Sequence, residues 1–517
     1  MIGTTLTKRE IAQHLKALGV QPAMTLMVHS SLSALGQVEG GADAVIDALL
    51  EVIGPQGTLL MPTHPARDGR TFDPDAIPSD MGTISETFRQ RRDVRRSRHP
   101  YHPVAALGAD AARLLHQHES SAAPDGSATP YGRLIAAQGF ALLIGCDLDT
   151  LTLLHAIEAN LDLPYLRELE MQYVDANGKV RHLAITRCPG GHRGGVLKFD
   201  RLLRAEGALV SGQIGNAVCR LIDASRAAEI MTRELSTDPC FALDENPHCA
   251  DCVRFRERVA ASGMRPSAGS YSTAKTALED ILAENFTLTV ALVSATDFAP
   301  QLETIASAGL HCVELPLQLL RMQEIRTSGL SIALARTTWE ELRATPDWVN
   351  CMLEAQCSYL RVTPPERGAD RETFIVEMGT IVRECAAPGI TVLLANAAHS
   401  IAPTADALAY LIETVNSGVL GASYDPAALA HQGGSPFYGE LYKGPLRKHV
   451  QHVDFLDVLG GSGEQVAPGY GNSELVEILS NLRCRSYRGL ICLWPLPTPQ
   501  GGLEVALERF QTIMGSI

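Results

Sequence analysis

The chain has 517 residues, of which 45% are hydrophobic and 20% are charged. This length exceeds what one ordinary core organises, and the composition is typical of a globular protein with two domains. The formal net charge of −14 argues against binding to a nucleic-acid backbone, because phosphate contacts need clustered Lys and Arg. Neither a signal peptide nor an apolar run of the roughly 20 residues that span a membrane is visible, so we expect a cytoplasmic protein with reduced cysteines.

The N-terminal half alternates predicted helices with short buried strands. Thr7 and Glu10 have the spacing of a capping box, and the helix that follows ends at Gly19. The next predicted elements are a strand at Thr25–Val28, a helix at Ala42–Ile53, and strands at Gly57–Met61 and Phe140–Ile144. Residues 165–185 predict a hairpin, with strands at Gln172–Val174 and Val180–Ile185 about the turn Asn177-Gly178. This alternation predicts an α/β sheet, whose ligand sites gather where its strands end.

The C-terminal half has a different rhythm. Residues 260–280 are rich in Ser, Gly, Ala and Thr, which is typical of a linker. Eight short apolar segments then alternate with helical stretches, which is the count of a (β/α)8 TIM barrel. These predicted strands are Thr289–Val293, Cys312–Leu315, Ser331–Ala335, Tyr359–Val362, Thr391–Ala395, Val419–Ser423, His452–Leu456 and Gly489–Leu493. We therefore predict an α/β domain at 1–262, a linker at 263–282 and a barrel at 283–517.

Two N-terminal segments have side chains suited to a phosphorylated ligand. After the strand at 25–28, residues 28–33 bring hydroxyls and backbone N–H groups together before a helix, which suits a phosphate or a pantetheine amide. The alternative is that Ser31 or Ser33 caps the helix. The run at 95–98 concentrates arginines in an acidic protein and predicts either a phosphate clamp or a solvated face.

Six sequence boxes occur in register and resemble the aminoglycoside (antibiotic) 3-N-acetyltransferase family over about residues 5–260. The boxes are HSSL at 29–32, GTLLMPTH at 57–64, MGTISETFR at 81–89, RSRHP at 96–100, TPYGRL at 129–134 and TLLHAIE at 152–158. The resemblance implies the family's own α/β architecture and a coenzyme A-dependent N-acyltransferase. Such an enzyme moves an acetyl or small acyl group from acyl-CoA to a primary amine, in an aminoglycoside-like compound or a specialised metabolite.

The resemblance also assigns candidate site residues. It implies that His155 is the general base and that Glu158, three residues on, orients its ring; the alternative for such a pair is a surface contact along a helix. The implied coenzyme A site comprises His29, Ser30, Ser31, Leu32, Arg96 and Ser97. The implied acceptor site comprises Asp147, Asp149 and Tyr131, although each of the two acids has helix capping as an alternative.

A group of thiols and one imidazole ends the N-terminal domain. Its members are Cys240, His248, Cys249 and Cys252. A single C-x-x-C pair is a weak zinc signal, because structural zinc sites usually combine two such pairs or add histidines at fixed spacing. Reduced structural thiols are the favoured interpretation, and zinc is the alternative.

The barrel half resembles the sugar-phosphate isomerase/epimerase superfamily, whose barrels are like that of xylose isomerase. The resemblance rests on the segment at 308–315, on Tyr424-Asp425-Pro426 and on the segment at 487–489. Active members bind a divalent metal through carboxylates and histidine at the strand ends. Here Asn396, Asp454 and Trp494 stand where Glu, His and Glu are expected, while Asp425 and Asp457 are kept. The prediction is a degenerate barrel; a remodelled site is the alternative, made of Glu314, Asp425, His452 and Asp454.

Three functions follow from these observations. The first is acyl transfer in the N-terminal domain, either for antibiotic resistance or for the biosynthesis of specialised metabolites. The second is metal-dependent sugar-phosphate isomerisation or epimerisation in the barrel, and the third is binding without catalysis. The expected partner is a small-molecule amine rather than a nucleic acid or a membrane, and a homodimer is an open alternative.

Overall fold

The computed structural model describes residues 5–188, 194–264, 275–292, 298–442, 444–497 and 501–517. Residues 265–274 of the predicted linker lie outside these ranges, so the proposed domain boundary stays a prediction. Within the ranges, none of the helices combines the length and the hydropathy that a bilayer crossing requires.

The N-terminal domain contains a seven-stranded mixed sheet and a separate two-stranded hairpin. Its strands are β1 (Thr25–Ser30), β2 (Thr58–Pro62), β3 (Arg95–Arg96), β4 (Val104–Gly108), β5 (Phe140–Ile144), β6 (Arg167–Val174), β7 (Val180–Arg187), β8 (Leu209–Ile214) and β9 (Ala217–Asp223). Its helices are α1 (Lys8–Leu18), α2 (Gly41–Ile53), α3 (Thr83–Gln90), α4 (Ala111–Leu115), α5 (Pro130–Ala136), α6 (Leu153–Asn160), α7 (Phe199–Ala205), α8 (Ala224–Thr237) and α9 (Ala250–Ala261). The strand order in the sheet is β3-β4-β2-β1-β5-β9-β8, and β6 pairs with β7.

Local sequence explains where the first helix begins and ends. The Thr7 hydroxyl accepts a hydrogen bond from the Glu10 backbone N–H, and the Glu10 carboxylate accepts one from the Thr7 N–H. Gly19 ends the helix with a φ of 109°, in the left-handed region that glycine adopts without steric cost. The predicted capping box and the predicted stop are confirmed.

Strand β1 lies between two hydrophobic cores because its side chains alternate between the faces of the sheet. Leu26 and Val28 pack with α1 and α2 on one face, whereas Met27 packs with α5 and α6 on the other. Each of the three side chains is at most 1% exposed. Burying a side chain of this size stabilises the fold by about 1.5–3 kcal/mol, so β1 is fixed from both faces.

The parallel centre of this sheet brings three strand ends together. Strand β1 pairs in parallel with β2 and with β5. Ser30, Pro62 and Ile144 therefore end at one edge, where open α/β sheets form their ligand sites. The predicted strands at 57–61 and 140–144 are confirmed, the first with a shift of one residue.

The predicted hairpin is confirmed, and both of its strands are longer than predicted. Arg167 pairs with Arg187 at its open end, and the antiparallel register runs to the pair Val174 and Val180. In the turn, Asp175 Oδ1 accepts hydrogen bonds from the backbone N–H groups of residues 177 and 179. The open end of this hairpin leads directly into Cys188.

The C-terminal region contains a closed barrel of eight parallel strands. Its strands are β10 (Thr287–Ala291), β11 (Cys312–Pro316), β12 (Ser331–Thr338), β13 (Tyr359–Thr363), β14 (Thr391–Ala395), β15 (Leu420–Tyr424), β16 (Val450–Phe455) and, after the small pair β17 (Asp457–Val458) and β18 (Gln465–Val466), β19 (Leu490–Leu493). Its helices are α10 (Leu278–Leu282), α11 (Phe298–Ser307), α12 (Gln323–Thr327), α13 (Trp339–Ala344), α14 (Trp348–Glu354), α15 (Arg371–Ala386), α16 (Ala405–Val415), α17 (Pro426–His431), α18 (Leu475–Cys484) and α19 (Gly502–Ser516). Pairing of β10 with β19 closes the barrel, and all eight predicted strands are confirmed with shifts of a few residues at their ends.

A buried ion-pair network joins the two domains. Arg220 Nη2 lies 2.9 Å from Asp147 Oδ2, and Arg220 Nε lies 3.0 Å from Asp200 Oδ2. From α18, the Ser480 hydroxyl donates to the same Asp147 oxygen at 2.8 Å. Asp147 is 3% exposed and Arg220 is 5% exposed. Because charges buried this deeply must be paired, the network fixes one specific contact between the sheet domain and the barrel.

Candidate active site

His155 and Glu158 form the centre of the candidate active site on α6. Glu158 Oε2 lies 2.6 Å from His155 Nδ1, and the Tyr165 hydroxyl donates to Glu158 Oε1 at 3.0 Å. The Glu158 side chain is 4% exposed, whereas the His155 side chain is 29% exposed. A buried carboxylate thus holds an accessible imidazole. With Nδ1–H donated to Glu158, Nε2 is the nitrogen that accepts a proton.

Two more histidines and a carboxylate extend this site, although the sequence analysis did not single them out. The His102 ring stacks on His64 with centroids 4.2 Å apart, and its centroid lies 6.0 Å from that of His155. Asp125 Oδ1 lies 2.6 Å from His102 Nδ1. The available signal was positional: His64 follows β2 and His102 precedes the antiparallel β4, so both lie at the same sheet edge.

Asp125 titrates near neutral pH. Burial raises the pKa of this carboxyl, whereas the positive charges of His155, His118 and Arg67 lower it. The effect of burial is the larger one, and the resulting pKa is about 7. A second carboxylate–imidazole pair, whose carboxyl has a raised pKa, therefore lies beside the first. Perturbed carboxylates of this kind cluster at functional sites.

The predicted coenzyme A residues on β1 and just beyond it do lie at the sheet edge. His29 is 8% exposed, and its Nε2 has no hydrogen-bond partner among the described residues; the same is true of the Ser30 hydroxyl. The Ser31 hydroxyl lies 3.3 Å from that of Ser33 and does not cap the short helix that follows, where Leu32 is half-buried. Buried polar atoms without a protein partner are suited to a ligand.

Arg96 and Ser97, the other two predicted coenzyme A residues, are held by internal hydrogen bonds. The Arg96 guanidinium donates to the carbonyls of residues 63, 74 and 77 and stacks on Phe72, and burial lowers its pKa to about 10. The Ser97 hydroxyl accepts the Val104 N–H and lies 2.9 Å from His118 Nδ1. Both side chains fix the loop after β2 and the start of β4, rather than presenting themselves at the surface.

The three predicted acceptor residues occupy different environments. Asp147 belongs to the ion-pair network with Arg220 and caps the residue after it, so the helix-capping alternative describes it in part. Tyr131 is fully buried, and its hydroxyl lies 3.0 Å from His64 Nε2. Asp149 is half-buried in the turn after β5. Asp149 is thus the more accessible of the two acids.

The predicted thiol cluster does not converge on a common point. Among the described residues, two groups bring three metal-donor atoms within 4.8 Å of one another, and neither contains Cys240, His248, Cys249 or Cys252. The Cys249 Sγ instead accepts the Cys252 backbone N–H at the start of α9. Hydrogen bonding to Cys249 and burial raise the pKa of Cys252, which favours a protonated thiol. Among the described residues, these contacts favour the interpretation as structural thiols, which stays a prediction.

One of the two convergent groups adds a residue to the active site. It consists of His155, Glu158 and Cys188. Cys188 is half-buried, in contrast to the buried thiols of the domain core.

The second convergent group lies inside the barrel. It consists of Glu314, His452 and Cys492. Burial alone would raise the pKa of Glu314, but the charge and hydrogen bond of His452, 3.0 Å away, hold it at about 2. The predicted remodelled site is assembled only in part. Glu314 and His452 converge, whereas Asp454 is paired with Arg361 at 3.0 Å and accepts the Trp494 Nε1–H at 2.7 Å. Burial and the Asp454 charge raise the pKa of Asp425 to about 6.

Acidification is expected to destabilise the protein through His29. Burial lowers the pKa of His29 to about 4 from an ordinary value of 6.5. Between the folded pKa of about 4 and the unfolded pKa of 6.5, the unfolded chain binds more protons than the folded one. The contribution of neutral His29 to stability is therefore fully present above pH 6.5 and is lost as the pH falls through about 4. When the pH falls from about 7 to about 4, the free energy of unfolding should decrease by on the order of 3 kcal/mol less in His29→Gln than in the wild type.

Urea unfolding at several pH values in this window measures the difference. His14→Gln is the matched control, since His14 is exposed on α1, and it should keep the wild-type dependence. Equal acid losses for His29→Gln and the wild type would contradict the expectation.

Comparisons with known proteins find relatives of the N-terminal domain. A family profile described as aminoglycoside 3-N-acetyltransferase matches residues 27–236, ahead of the barrel. Aminoglycoside N(3)-acetyltransferase IV of Salmonella sp is 31% identical over 248 residues, which are 46% of this chain and 90% of that protein. The prophage-derived aminoglycoside N(3')-acetyltransferase-like protein YokD of Bacillus subtilis is 34% identical over 183 residues. These residues are 31% of this chain and 66% of the length of YokD, just under two thirds. The apoenzyme structure of aminoglycoside acetyltransferase AAC(3)-IVa covers 50% of this chain and 99% of its own, with 29% identity and a TM-score of 0.47.

The matched profile and these relatives place the N-terminal domain in the class of acetyl-CoA-dependent acetyltransferases. The chain belongs to the aminoglycoside 3-N-acetyltransferase family. The resemblance that the six sequence boxes predicted is thus confirmed for the N-terminal domain. For the C-terminal region, the confirmed part of the prediction is the closed barrel of eight parallel strands.

Proposed function

We propose that this protein transfers an acetyl or other small acyl group from acyl-CoA to a primary amine of a small molecule, with His155 as the general base. Membership of the family supports the donor and the kind of acceptor. The observation that carries the proposal is the 2.6 Å contact between His155 Nδ1 and the buried Glu158 carboxylate. It gives a partly exposed imidazole a fixed orientation and a fixed tautomer.

The site also has groups that suit the acyl donor. Ser30 and His29 end β1 with polar atoms that lack a partner among the described residues. Gly82, the residue before α3, approaches the Ser30 carbonyl, so the backbone N–H groups that begin α3 lie at the same sheet edge. The amino end of a helix favours anions such as the pyrophosphate of coenzyme A. The bound cofactor supplies an acyl thioester as the electrophile.

The proposed chemistry uses the imidazole in both of its protonation states. His155 Nε2 removes a proton from the amine as the nitrogen attacks the thioester carbonyl carbon. The Glu158 carboxylate stabilises the imidazolium that forms, and the Tyr165 hydroxyl keeps that carboxylate in place. His155 then returns the proton to the departing coenzyme A thiolate, so the base is regenerated in each turnover.

An assay of thiol release tests this proposal. The purified chain is incubated with acetyl-CoA and a panel of amines that includes aminoglycosides, amino sugars and simple primary amines. The expected result is release of coenzyme A that depends on one class of amine, with the acetylated product identified by mass spectrometry. Turnover of sugar phosphates without coenzyme A would favour the isomerase alternative, and binding without thiol release would favour a non-catalytic role.

Removal of divalent metal is expected to leave acyl transfer unchanged. In the barrel, Arg361 and Trp494 already satisfy Asp454, and the proposed acyl transfer uses a carboxylate–imidazole pair that needs no Lewis acid. Dialysis against EDTA, followed by the thiol-release assay, measures this. Loss of activity that Zn²⁺ or Mn²⁺ restores would contradict the expectation and direct attention to the two convergent donor groups.

A further inference from the structure

Ring contacts lead from the candidate base to a pair of arginines. The centre of the His102 ring lies 6.0 Å from that of the His155 ring and 4.3 Å from that of the Tyr101 ring. The Arg67 and Arg187 guanidinium groups lie 4.4 Å and 4.8 Å from the centre of the same Tyr101 ring. Because Tyr101 is only 5% exposed, its ring is a fixed platform that holds both cations on one side of the active site.

The backbone places one of these arginines near the base by a second route. Arg187 ends β7, and the next residue is Cys188. The Cys188 Sγ, a ring nitrogen of His155 and a carboxylate oxygen of Glu158 all lie within 4.8 Å of one another. Arg187 Nη1 also donates to the Cys188 carbonyl at 2.7 Å, so its guanidinium stays close to this segment.

A third arginine lies on the same face of the hairpin. Arg167 is directly opposite Arg187 in the antiparallel register, and the next pair on this face is Leu169 and Ile185. Opposite residues have Cβ atoms about 5 Å apart, and like charges at that distance are destabilising. Within the described part of the chain, neither arginine forms an ion pair, and the Nε of each is buried without a hydrogen-bond partner. Such an arrangement indicates that an anion from outside the chain binds there.

The carboxylates of this site and its surroundings are paired within the protein. Glu158, Asp125 and Asp147 are each in contact with a basic side chain, at 2.6 Å, 2.6 Å and 2.9 Å. Burial also raises the pKa of Asp125 to about 7, so this carboxyl carries only part of its charge at neutral pH. A ligand that approaches the base therefore meets guanidinium groups, while these three acids are already engaged.

We propose that the acceptor amine also carries an anionic group, a carboxylate or a phosphate, which Arg67, Arg187 and Arg167 bind while the amine faces His155. This inference rests on the proposed acyl transfer and names the class of acceptor for it. A guanidinium donates two parallel N–H bonds to either kind of anion, and these charge-assisted bonds are stronger than neutral ones. The same arginines repel an acceptor whose charged groups are all ammonium groups.

Matched pairs of amines test this proposal in the thiol-release assay, with the full-length protein and acetyl-CoA. Glucosamine 6-phosphate is compared with glucosamine for phosphate, β-alanine with its methyl ester for carboxylate, and kanamycin is the polycationic reference. In one of the two pairs, the member with the anion is expected to have a kcat/KM about 10- to 100-fold higher, chiefly through KM. This preference should shrink as the salt concentration rises, because partly exposed charges are screened.

Two substitutions and two controls assign the preference to the arginines. Arg67→Gln and Arg187→Gln should each lower kcat/KM for the preferred anionic amine by about 10-fold or more. Neither should change kcat/KM for its counterpart without the anion, or KM for acetyl-CoA. Arg70→Gln, in the loop after β2, and Arg181→Gln, farther along the hairpin, are the matched controls and should keep wild-type values. Both control arginines are exposed and paired with a nearby aspartate.

The outcomes separate this proposal from the one on which it rests. Preference of the wild type for kanamycin, or for the member without the anion in both pairs, overturns the anionic acceptor and leaves acyl transfer in place. A raised KM for acetyl-CoA in the arginine variants, with an unchanged KM for the amine, assigns the cations to the donor and overturns it as well. Absence of thiol release from the wild type with every amine overturns both proposals. If Arg187→Gln melts well below the wild type, Arg67→Gln decides, because the Arg67 side chain is exposed.

Discussion

Replacing His155 with asparagine is expected to lower kcat for acyl transfer by about 100- to 10,000-fold. The reason is the loss of the group that accepts the proton of the incoming nucleophile, while Asn keeps a polar side chain of similar reach. The Glu158 carboxylate and Tyr165 lie on the buried side of the contact, so the fold should be unaffected. Steady-state thiol release, measured with acetyl-CoA and the best amine of the panel, gives kcat and KM for each variant.

Two companion variants make this result specific. Glu158→Gln keeps the shape of the buried contact and removes the charge that stabilises the imidazolium, so its kcat should fall less than that of His155→Asn. His14→Asn changes an exposed histidine on α1 and should keep wild-type kcat. Wild-type turnover in a correctly folded His155→Asn protein would refute the assignment of the general base.

Replacing Arg220 with methionine is expected to lower the free energy of unfolding by about 3–5 kcal/mol. Arg220 is the cation shared by two buried carboxylates, Asp147 and Asp200, at 2.9 Å and 3.0 Å. Methionine fills much of the same volume but leaves Asp147 with neutral partners: the hydroxyl of Ser480, the thiol of Cys484 and the backbone N–H of the next residue. An uncompensated charge would then be buried between the domains. Denaturant unfolding followed by fluorescence and circular dichroism measures the loss.

An exposed arginine provides the comparison. Arg233 pairs with Glu206 at 2.6 Å, but its side chain is 52% exposed. Surface pairs of this kind contribute about 0–1 kcal/mol, so Arg233→Met should be nearly neutral. A loss for Arg220→Met no greater than that for Arg233→Met would show that the interdomain network does not hold the domains together.

Much of the fold was accessible from short stretches of sequence. The capping box at Thr7 and Glu10, the stop at Gly19 and the Asn177-Gly178 turn each depend on residues a few positions apart, and the structure has all three. The eight barrel strands follow from apolar segments whose length and spacing are local properties. The His155–Glu158 contact was also predictable, because residues three apart share one face of a helix.

The rest of the site depends on contacts between residues far apart in the chain. The His102–Asp125 pair and the approach of Cys188 to His155 arise because neighbouring strands end at one edge, and that sheet order has no local signal. The carbonyls that the loop after β2 supplies to the Arg96 guanidinium likewise have no local signal, because they come from residues about 20 to 30 positions away in the chain.

The sequence by itself determined the first two helices, the central strands of the first sheet, the eight barrel strands, the family of the first domain and the identity of the candidate base. Only the tertiary structure decided which side chains surround that base and which buried charges are already paired. Local preferences are set by backbone hydrogen bonds and side-chain periodicity within a few residues. Burial and charge pairing are set by strand order and domain contact, as Asp147 shows by pairing with Arg220 and accepting a hydrogen bond from Ser480 across the interface.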